Sequence, residues 1–484
     1  MMKVLSFFIL VILFFVSVTS RLSAQPNTLY FLKGVPQTKD LNPARPGIER
    51  GFYISMPLFS KLDLSVNTNN WSYNDLIHQG SGAQSDSLVW DFKKYLSALD
   101  KNNFLMESVA LTLIEFGWRK ERNFFAFSWT EREFSEPFFT KNLANLVYYG
   151  NEPYVGTTYH SGYFGVAAQH YREFTFNFAR DLTKKISVGF SGKLLFGMSA
   201  VKTSGLNVIA GMPASGDRID LGAKGKAFIS APVDIQVTNG NRFSASSYYD
   251  QKNYLTNFGN PGFAVDLGFT NKINKQLELS MSLIDFGFIS WKTDLSSFSE
   301  NGQFLYRGIN LDEPLNTPPT TTDVHGLFTS LSDSLAVAFH PDSINTSFTT
   351  LLPLKMYIAG EFKPNEVVTL GGVARIRLFN NMIHASFTAS ANAALSKKFS
   401  LSASYSVMES TFDNLGMAVA YRIGSVQLYT ASDNLISLFR PASASNMNLR
   451  VGINLIFQDE AKQRKGVYHR RPLRSAPGCP LEME

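Results

Sequence analysis

His384 and Ser386 stand two residues apart on the polar side of an alternating run, where an imidazole base could meet a hydroxyl nucleophile. Serine recurs so often on such faces in this chain that the pairing reads as coincidence, and no Gly-x-Ser-x-Gly elbow or phosphate loop accompanies it. The seven histidines, at 78, 160, 170, 325, 340, 384 and 469, lack metal-ligand spacing, and the single Cys479 cannot build a soft metal site. No catalytic residue, cofactor or metal is therefore expected, and the chain does not read as an enzyme. What remains is a set of charges on otherwise neutral polar faces: Lys193, Asp266, Glu278, Arg375, Arg377, Arg422 and Arg450, with His384 among them. Such a set serves either as an internal polar lattice that holds the molecule together or as a guide for a ligand headgroup.

Those faces belong to strands. In "NMNLRVGINLIF" (446–457) the residues Met447, Leu449, Val451, Ile453, Leu455 and Phe457 alternate with Asn446, Asn448, Arg450, Gly452, Asn454 and Ile456. "IHASFTASANAAL" (383–395), "ISVGFSGKLLFGM" (186–198), "FSLSASYSV" (399–407) and "FAVDLGF" (263–269) repeat the period of two. Strands of soluble sandwiches run to about 5–6 residues. These runs are longer, and their polar faces carry Ser, Thr, Gly and Asn rather than dense charge. That combination predicts a transmembrane β-barrel with its apolar face to lipid. The composition agrees, with 41 Phe, 19 Tyr, 34 Gly and only 17% charged residues.

Export is predicted as well. Met1-Met2-Lys3, an apolar run over Val4–Val18 and "TSRLSAQ" form a signal peptide (residues 1–24), cut after Ala24 to leave Gln25 first. With one Cys there is no intramolecular disulfide framework. The net charge of +6 includes the signal residues and suggests no nucleic-acid partner.

Strands are expected at 51–57, 61–69, 104–118, 121–133, 161–181, 185–201, 261–271, 275–291, 353–363, 366–379, 382–396, 399–409, 415–423, 425–431 and 446–457. That makes fifteen, one too many for a bacterial barrel of even strand number, so about fourteen are expected over residues 51–457. Either one of the fifteen is wrong or a strand hides in "DRIDLGAKGKAFISA" (217–231). Short lysine turns ("LTKKI" 182–186, "INKQL" 273–277, "LSKKF" 395–399) alternate with long polar insertions near 68–103, 135–160, 202–260 and 293–352. Placing the lysine turns in the periplasm puts every long loop outside. Two loop helices are predicted, at 87–99 behind a cap at Asp86-Ser87 and at 139–150 before Gly150. They either cover the mouth or capture a hydrophobic ligand. In "IDFGFISW" (284–291) the apolar parity flips, which predicts a β-bulge.

Residues 25–50 are rich in proline and show no sustained alternation, so they are not barrel wall. They form either a disordered leader or a plug in the lumen, and we expect the plug, with Asn42 capping a turn before Pro43. Here "TLYFLKGVPQTKDLNPARPG" (28–47), with Pro36-Gln37 and Leu41-Asn42-Pro43-Ala44, resembles the start of a Bacteroidota family of outer-membrane barrels of unknown function. "WSYNDLI" (71–77) and "SVQLYTASDNLISL" (425–438) extend the likeness over the mature chain. More distantly that family is similar to long-chain fatty-acid transporter barrels and the outer-membrane barrel of the type IX secretion system. The resemblance implies fourteen strands, an "NPA" segment folded into the lumen, and a wall kink that can open sideways into the membrane. "DSL" (86–88), "DSL" (333–335) and "DSI" (342–344) also resemble O-glycosylation sites of that phylum.

Phe457 looks like the terminal signal read by barrel-assembly machinery, yet a basic tail (458–484) follows it. The tail is either disordered ballast or a periplasmic docking arm, with Cys479 a spare thiol or a crosslink. Two functions stay open: a plugged channel for small hydrophobic or amphipathic molecules, or a structural barrel partnering a secretion, motility or surface-protein assembly. A continuous apolar path beside the plug favours the first, and a conduit blocked by salt bridges the second. The partners implied are outer-membrane lipid, the assembly machinery, and either a hydrophobic ligand or a periplasmic or surface protein.

Overall fold

The computed structural model describes residues 27–457, apart from 307–341 and shorter stretches in loops and turns such as 216–218 and 239–241. The predicted signal peptide, the tail with Cys479 and the tripeptide at 333–335 lie outside the described residues. Within them, a closed antiparallel barrel of 14 strands forms. Its wall strands are β1 (Gly51–Ser55 and Lys61–Thr68), β2 (Asn102–Lys120), β3 (Asn123–Thr140), β4 (Thr158–Asp181), β5 (Ile186–Gly211), β6 (Pro261–Lys272) and β7 (Leu277–Trp291). The wall continues through β8 (Leu354–Phe362), β9 (Val368–Phe379), β10 (Met382–Ser396), β11 (Phe399–Met408), β12 (Thr411–Ile423), β13 (Val426–Ser432) and β14 (Asn446–Phe457). Each strand pairs with its chain neighbour, and β1 closes the ring against β14.

The surplus strand of the sequence reading is explained by β1. Ile54 lies between Phe116 of β2 and Leu455 of β14, and Leu64 lies between Val109 and Leu449 of the same two strands. Residues 51–57 and 61–69 are therefore two halves of one wall strand, not two strands. Between them the strand is interrupted around Pro57, which has no N–H to contribute, yet contact with β14 persists: Met56 N–H donates to the Ile453 carbonyl at 3.0 Å, and the Ile453 N–H donates to the Phe59 carbonyl at 3.1 Å. The suspected strand at 217–231 does form, as Ile219–Ser230, but outside the wall count. It extends a small sheet from the far end of β5 and pairs with Leu295–Tyr306.

The alternation places side chains as lipid and lumen require. Phe190, Phe263, Met281, Ile358 and Leu428 are exposed on the outer face, while Ser280, Ser402, Ser404, Ser406, Thr388 and Asn454 are buried inside. The barrel has a turn end, where short connections and Phe457 lie, and a loop end. Strands β4 and β5, at 24 and 26 residues, are far longer than a bilayer needs and rise past the rim at the loop end.

The two predicted loop helices form as α1 (Phe92–Ala98) and α2 (Lys141–Tyr149), the first beside a single helical turn at Tyr73–Leu76. The first begins five residues later than the sequence suggested. Leu88–Trp90 pairs instead as a short strand with Ile77–Gln79, and the cap is Asp91, which accepts from the Lys94 N–H at 2.9 Å. The second falls as expected and stops at Gly150, whose φ of 66° is open to glycine.

Candidate functional site

The lumen divides along the barrel axis. Its turn half is filled by the chain's own N-terminal segment, starting at Asn27. Leu29, Tyr30, Phe31, Leu32 and Val35 bury their side chains against Ile284, Tyr357, Val373, Ala418 and Tyr429 of the wall. Inside a barrel this apolar insert replaces water that polar walls would otherwise hold, and its backbone must find partners there. Asp433, between β13 and the short helix α3 (Leu435–Phe439), supplies them at the segment's start. Its carboxylate accepts from Asn27 N–H at 2.7 Å, from Thr28 N–H at 2.8 Å and from the Thr28 hydroxyl. Burial pushes this carboxyl up to about 6, against the opposing pull of those hydrogen bonds and of Arg450.

The four motif residues lie deeper. Asn42 is fully buried; its Oδ1 accepts from Ala44 N–H at 3.0 Å, the local turn expected before Pro43. Its Nδ2 donates to the Tyr30 hydroxyl at 3.1 Å and to the Met281 carbonyl at 3.3 Å. The Leu41 carbonyl accepts from Ser282 Oγ at 2.6 Å. Pro43 and Ala44 press directly on the wall at Gly189 and Gly268, where any side chain would overlap them. Gln37 donates to Asn454 at 2.9 Å, so the polar face of β14 meets the segment directly.

Ion pairs bind segment to wall. Lys39 reaches Asp40 at 2.7 Å and Glu115 of β2 at 2.8 Å, and Lys61, just after the break in β1, also pairs with Asp40. Burial alone would raise Asp40, but Lys39 and Lys61 outweigh it and hold the carboxyl well below the usual carboxylate range. Arg45 joins Glu278 at 3.3 Å and Glu361, and Lys363 joins both carboxylates.

The remaining lattice candidates sit at different places. Lys193 meets Asp266 at 2.9 Å and Asp285, which also pairs with Lys355 at 2.6 Å. Arg377 pairs with Glu136 at 2.8 Å, with His384 3.8 Å from the same carboxylate. Arg450 pairs with Asp63, and Arg375 is buried with its guanidinium 5.9 Å from the Tyr357 ring centre. Arg422 differs from the sequence expectation. It stands at the turn end and donates to the Gly424 and Ile456 carbonyls at 2.9 and 3.1 Å, apart from the buried pairs. Of the two residues that opened the sequence reading, His384 faces Glu136, and Ser386 Oγ accepts from Asn27 Nδ2 at 3.0 Å. Phe457 stacks on Phe52 at 4.6 Å where the barrel closes.

The predicted bulge is real. The register between β6 and β7 shifts between Val265 and Leu267, and Asp285, the extra residue, takes φ 63°. Its N–H donates to Asp266 Oδ1 at 2.7 Å instead of to the ladder. On the other side of β7, Pro353 has no N–H to give to the same stretch. Above the bulge the loop half of the lumen holds a cavity of about 1460 Å³. Its lining joins inward-facing residues (Gln169, Asp285, Thr350, Leu352, Phe379, His384) to outward-facing ones (Phe263, Phe286, Phe288, Leu351, Ile383). The outer five are 47–70% exposed, so the cavity reaches the lipid side of the wall around β7.

Sequence reasoning named both members of the Lys193–Asp266 pair but missed Glu115, Glu361 and Lys355, which stand at buried or half-buried positions of expected strands, and Glu136, which lies beyond the expected strand end at 133. Asp285 sits at the parity flip itself, and Asp40 and Asp433 lie outside any strand, so alternation gives no signal for them.

A model for a family of unknown function (DUF5723) matches residues 46–433, and the chain belongs to that family. No curated protein matches it. Among solved structures it is similar to the Ralstonia pickettii toluene transporter TbuX, with 11% identity, a TM-score of 0.43, and 90% of this chain and 99% of that one covered. The Pseudomonas putida toluene transporter TodX gives 8% identity and a TM-score of 0.39 over 90% and 97% of the two chains. A Pseudomonas aeruginosa FadL homologue gives 9% identity and 0.37 over 91% and 100%.

Proposed function

We propose that this member of a family without an assigned role is an outer-membrane channel for small hydrophobic or amphipathic molecules. In this reading the signal peptide is removed near Ala24, the turn end faces the periplasm, and residues 25–50 act as a plug. The route is then lateral: a ligand enters the loop half and leaves through the wall beside β7 into the bilayer. The single observation that supports this is the cavity whose lining takes in both faces of the wall around the Asp285 bulge. A concave, mostly aromatic and aliphatic chamber with few polar groups suits a ligand of that kind. The axial path is occupied by residues 27–48 and their ion pairs, which argues against a simple water-filled pore.

The test is uptake of a radiolabelled hydrophobe by cells carrying the barrel or its Leu351→Lys/Ile383→Lys variant. Charge at the outward mouth should cut uptake several-fold, because a cation on a lipid-facing barrel position is costly to pass. Uptake unchanged in a correctly folded variant would overturn the lateral route.

A structural barrel that anchors a secretion, motility or surface-protein assembly is the second reading, favoured by how completely ion pairs fill the turn half. Native mass spectrometry of gently extracted protein separates the two. A retained small hydrophobe supports the channel, and a stoichiometric protein partner supports the scaffold.

A further inference from the structure

The turn end carries charge that neither the inserted segment nor the lumen lattice uses. Lys120 and Arg122 flank the β2–β3 turn, and Arg180, Lys184 and Lys185 surround the β4–β5 turn. The β6–β7 turn brings Lys272 and Lys275, and the β10–β11 turn brings Lys398. All eight side chains are exposed, and none has a carboxylate within ion-pair distance among the described residues. The exposed carboxylates described on the same rim are three, Glu49, Glu121 and Glu366, so cations prevail there. At the loop end the two signs are interleaved instead: Lys94 pairs with Asp75 at 3.3 Å, Lys93 follows Asp91, and Lys252 follows Asp250.

Each of these four turns also exposes an apolar side chain just before its cation. Leu182 continues the lipid-facing row of Phe176 and Phe178, and Ile273 continues that of Phe263 and Leu267. Trp118 stacks on Phe125 at 5.2 Å across the β2–β3 turn, and Leu395 is 57% exposed at the end of β10. The spacing is regular: Lys120, Lys184 and Lys275 each stand two residues past the apolar side chain, and Lys398 stands three past. Such a pair suits a membrane boundary, with the apolar side chain among acyl chains and the lysine stem extending beside it to the phosphates. The four turns are spread around the barrel from β2 to β11, which matches a leaflet encircling the wall, whereas a docked protein would take one arc.

We propose that the turn-end rim is a collar for anionic phospholipid, with Lys184, Lys185, Lys275 and Lys398 holding the phosphates of the leaflet it meets. This rests on the outer-membrane reading with the turn end in the periplasm, and it is independent of what the cavity carries.

The experiment offers the full barrel, in nonionic detergent, an equimolar mixture of phosphatidylglycerol and phosphatidylethanolamine with the same acyl chains. Native mass spectrometry counts the lipids retained. Phosphatidylglycerol should be favoured at least fivefold, since a cation near an anionic lipid surface contributes roughly that factor. Lys184→Gln, Lys185→Gln, Lys275→Gln and Lys398→Gln combined should bring the ratio close to one, while Lys→Arg at the same four positions should keep it. These are exposed turn positions, so heat-modifiable migration should match that of the unaltered barrel. Lys224→Gln with Lys252→Gln at the loop end should leave the ratio unchanged. Equal retention of the two lipids by the unaltered barrel would overturn the collar while the outer-membrane reading stands. A preference that survives at the turns but falls with the loop-end pair would overturn it as well, and would move the anion site to the opposite rim. Retention of neither lipid, with an acidic protein bound stoichiometrically and lost from the turn variant, would replace the leaflet by a protein partner. Uptake through the Leu351→Lys/Ile383→Lys variant bears on the cavity alone, so channel and collar can fail separately.

Discussion

The two halves of the lumen are built from the same wall strands and solve opposite problems. In the turn half Lys39, Arg45, Lys61, Lys363 and Arg450 each have a carboxylate beside them, and an inserted peptide takes the space between the walls. In the loop half the strands splay upward, the lining turns aromatic, and about 1460 Å³ stays empty. Buried charges are tolerated only when paired, and empty space persists only where the walls are too rigid to collapse into it. The difference teaches that the space in the turn half is taken by the segment 27–48 rather than by side chains of the wall alone. The Asp285 bulge lies where the two regimes meet, with its carboxylate joined to Lys193 and Lys355.

That boundary gives the largest expected effect. Asp285→Asn keeps a residue that tolerates positive φ, so the backbone stays and only the charge goes. Lys355 then loses its one described carboxylate and Lys193 one of three, and breaking a buried pair from one side costs roughly 3–5 kcal/mol. Urea unfolding of the refolded barrel measures it. A loss below about 1 kcal/mol would mean that the bulge is held by the ladder and not by the charges.

Next in size is expulsion of the insert. Gly268→Leu puts a side chain where Asn42 Oδ1, Pro43 and Ala44 already sit, and overpacking of this kind costs about 1–3 kcal/mol. The barrel should still migrate as folded, while protease clips residues 27–48 and single-channel conductance rises. A protected segment in a folded Gly268→Leu barrel would show that closure does not depend on this contact.

How far these features were legible follows from which rule each one obeys. Period-two alternation found the ends of β10 and β14 to the residue, because lipid on one side and lumen on the other impose one polarity per face. It also flagged the bulge, since a parity flip at Leu283-Ile284 has few other causes. It counted β1 twice because the gap at 56–60 looks like a turn in sequence, and only the shared neighbours reveal one strand. It overextended α1, since Leu88, Val89 and Phe92 fit a helical stripe as well as a short strand followed by a helix.

A smaller effect tests how the insert is fastened at its start. In the docked state Asp433 titrates near 6; in a released segment it would return toward its ordinary value of 3.8. The folded value is the raised one, so docking is favoured at low pH and weakens as pH rises through about 4 to 6. Between pH 5 and pH 8 the penalty is on the order of 1 kcal/mol, several-fold to tenfold in the docking equilibrium. Amide exchange of residues 27–32, corrected for intrinsic rate, should be faster by that factor at pH 8 than expected from pH 5. Asp433→Asn should flatten that dependence. A pH-independent exchange ratio in the unaltered protein would remove Asp433 from the fastening.

The smallest effect marks the edge of the lattice. Arg422 and Arg377 are both arginines of the inward parity, three strands apart in chain order, yet one is partly exposed at the turn end and bonded to carbonyls while the other is wholly buried on Glu136. Arg422→Gln removes hydrogen bonds that water can replace, so its cost should stay below about 1 kcal/mol. Arg377→Gln strands a buried carboxylate beside His384 and should cost roughly 3–5 kcal/mol. Measured side by side by the same urea titration, the pair sets the boundary between structural charge and rim charge. If Arg422→Gln costs as much as Arg377→Gln, pairing inside the barrel is not what separates the sealed half from the rest, and the comparison between the two halves has to be redrawn around the wall turns.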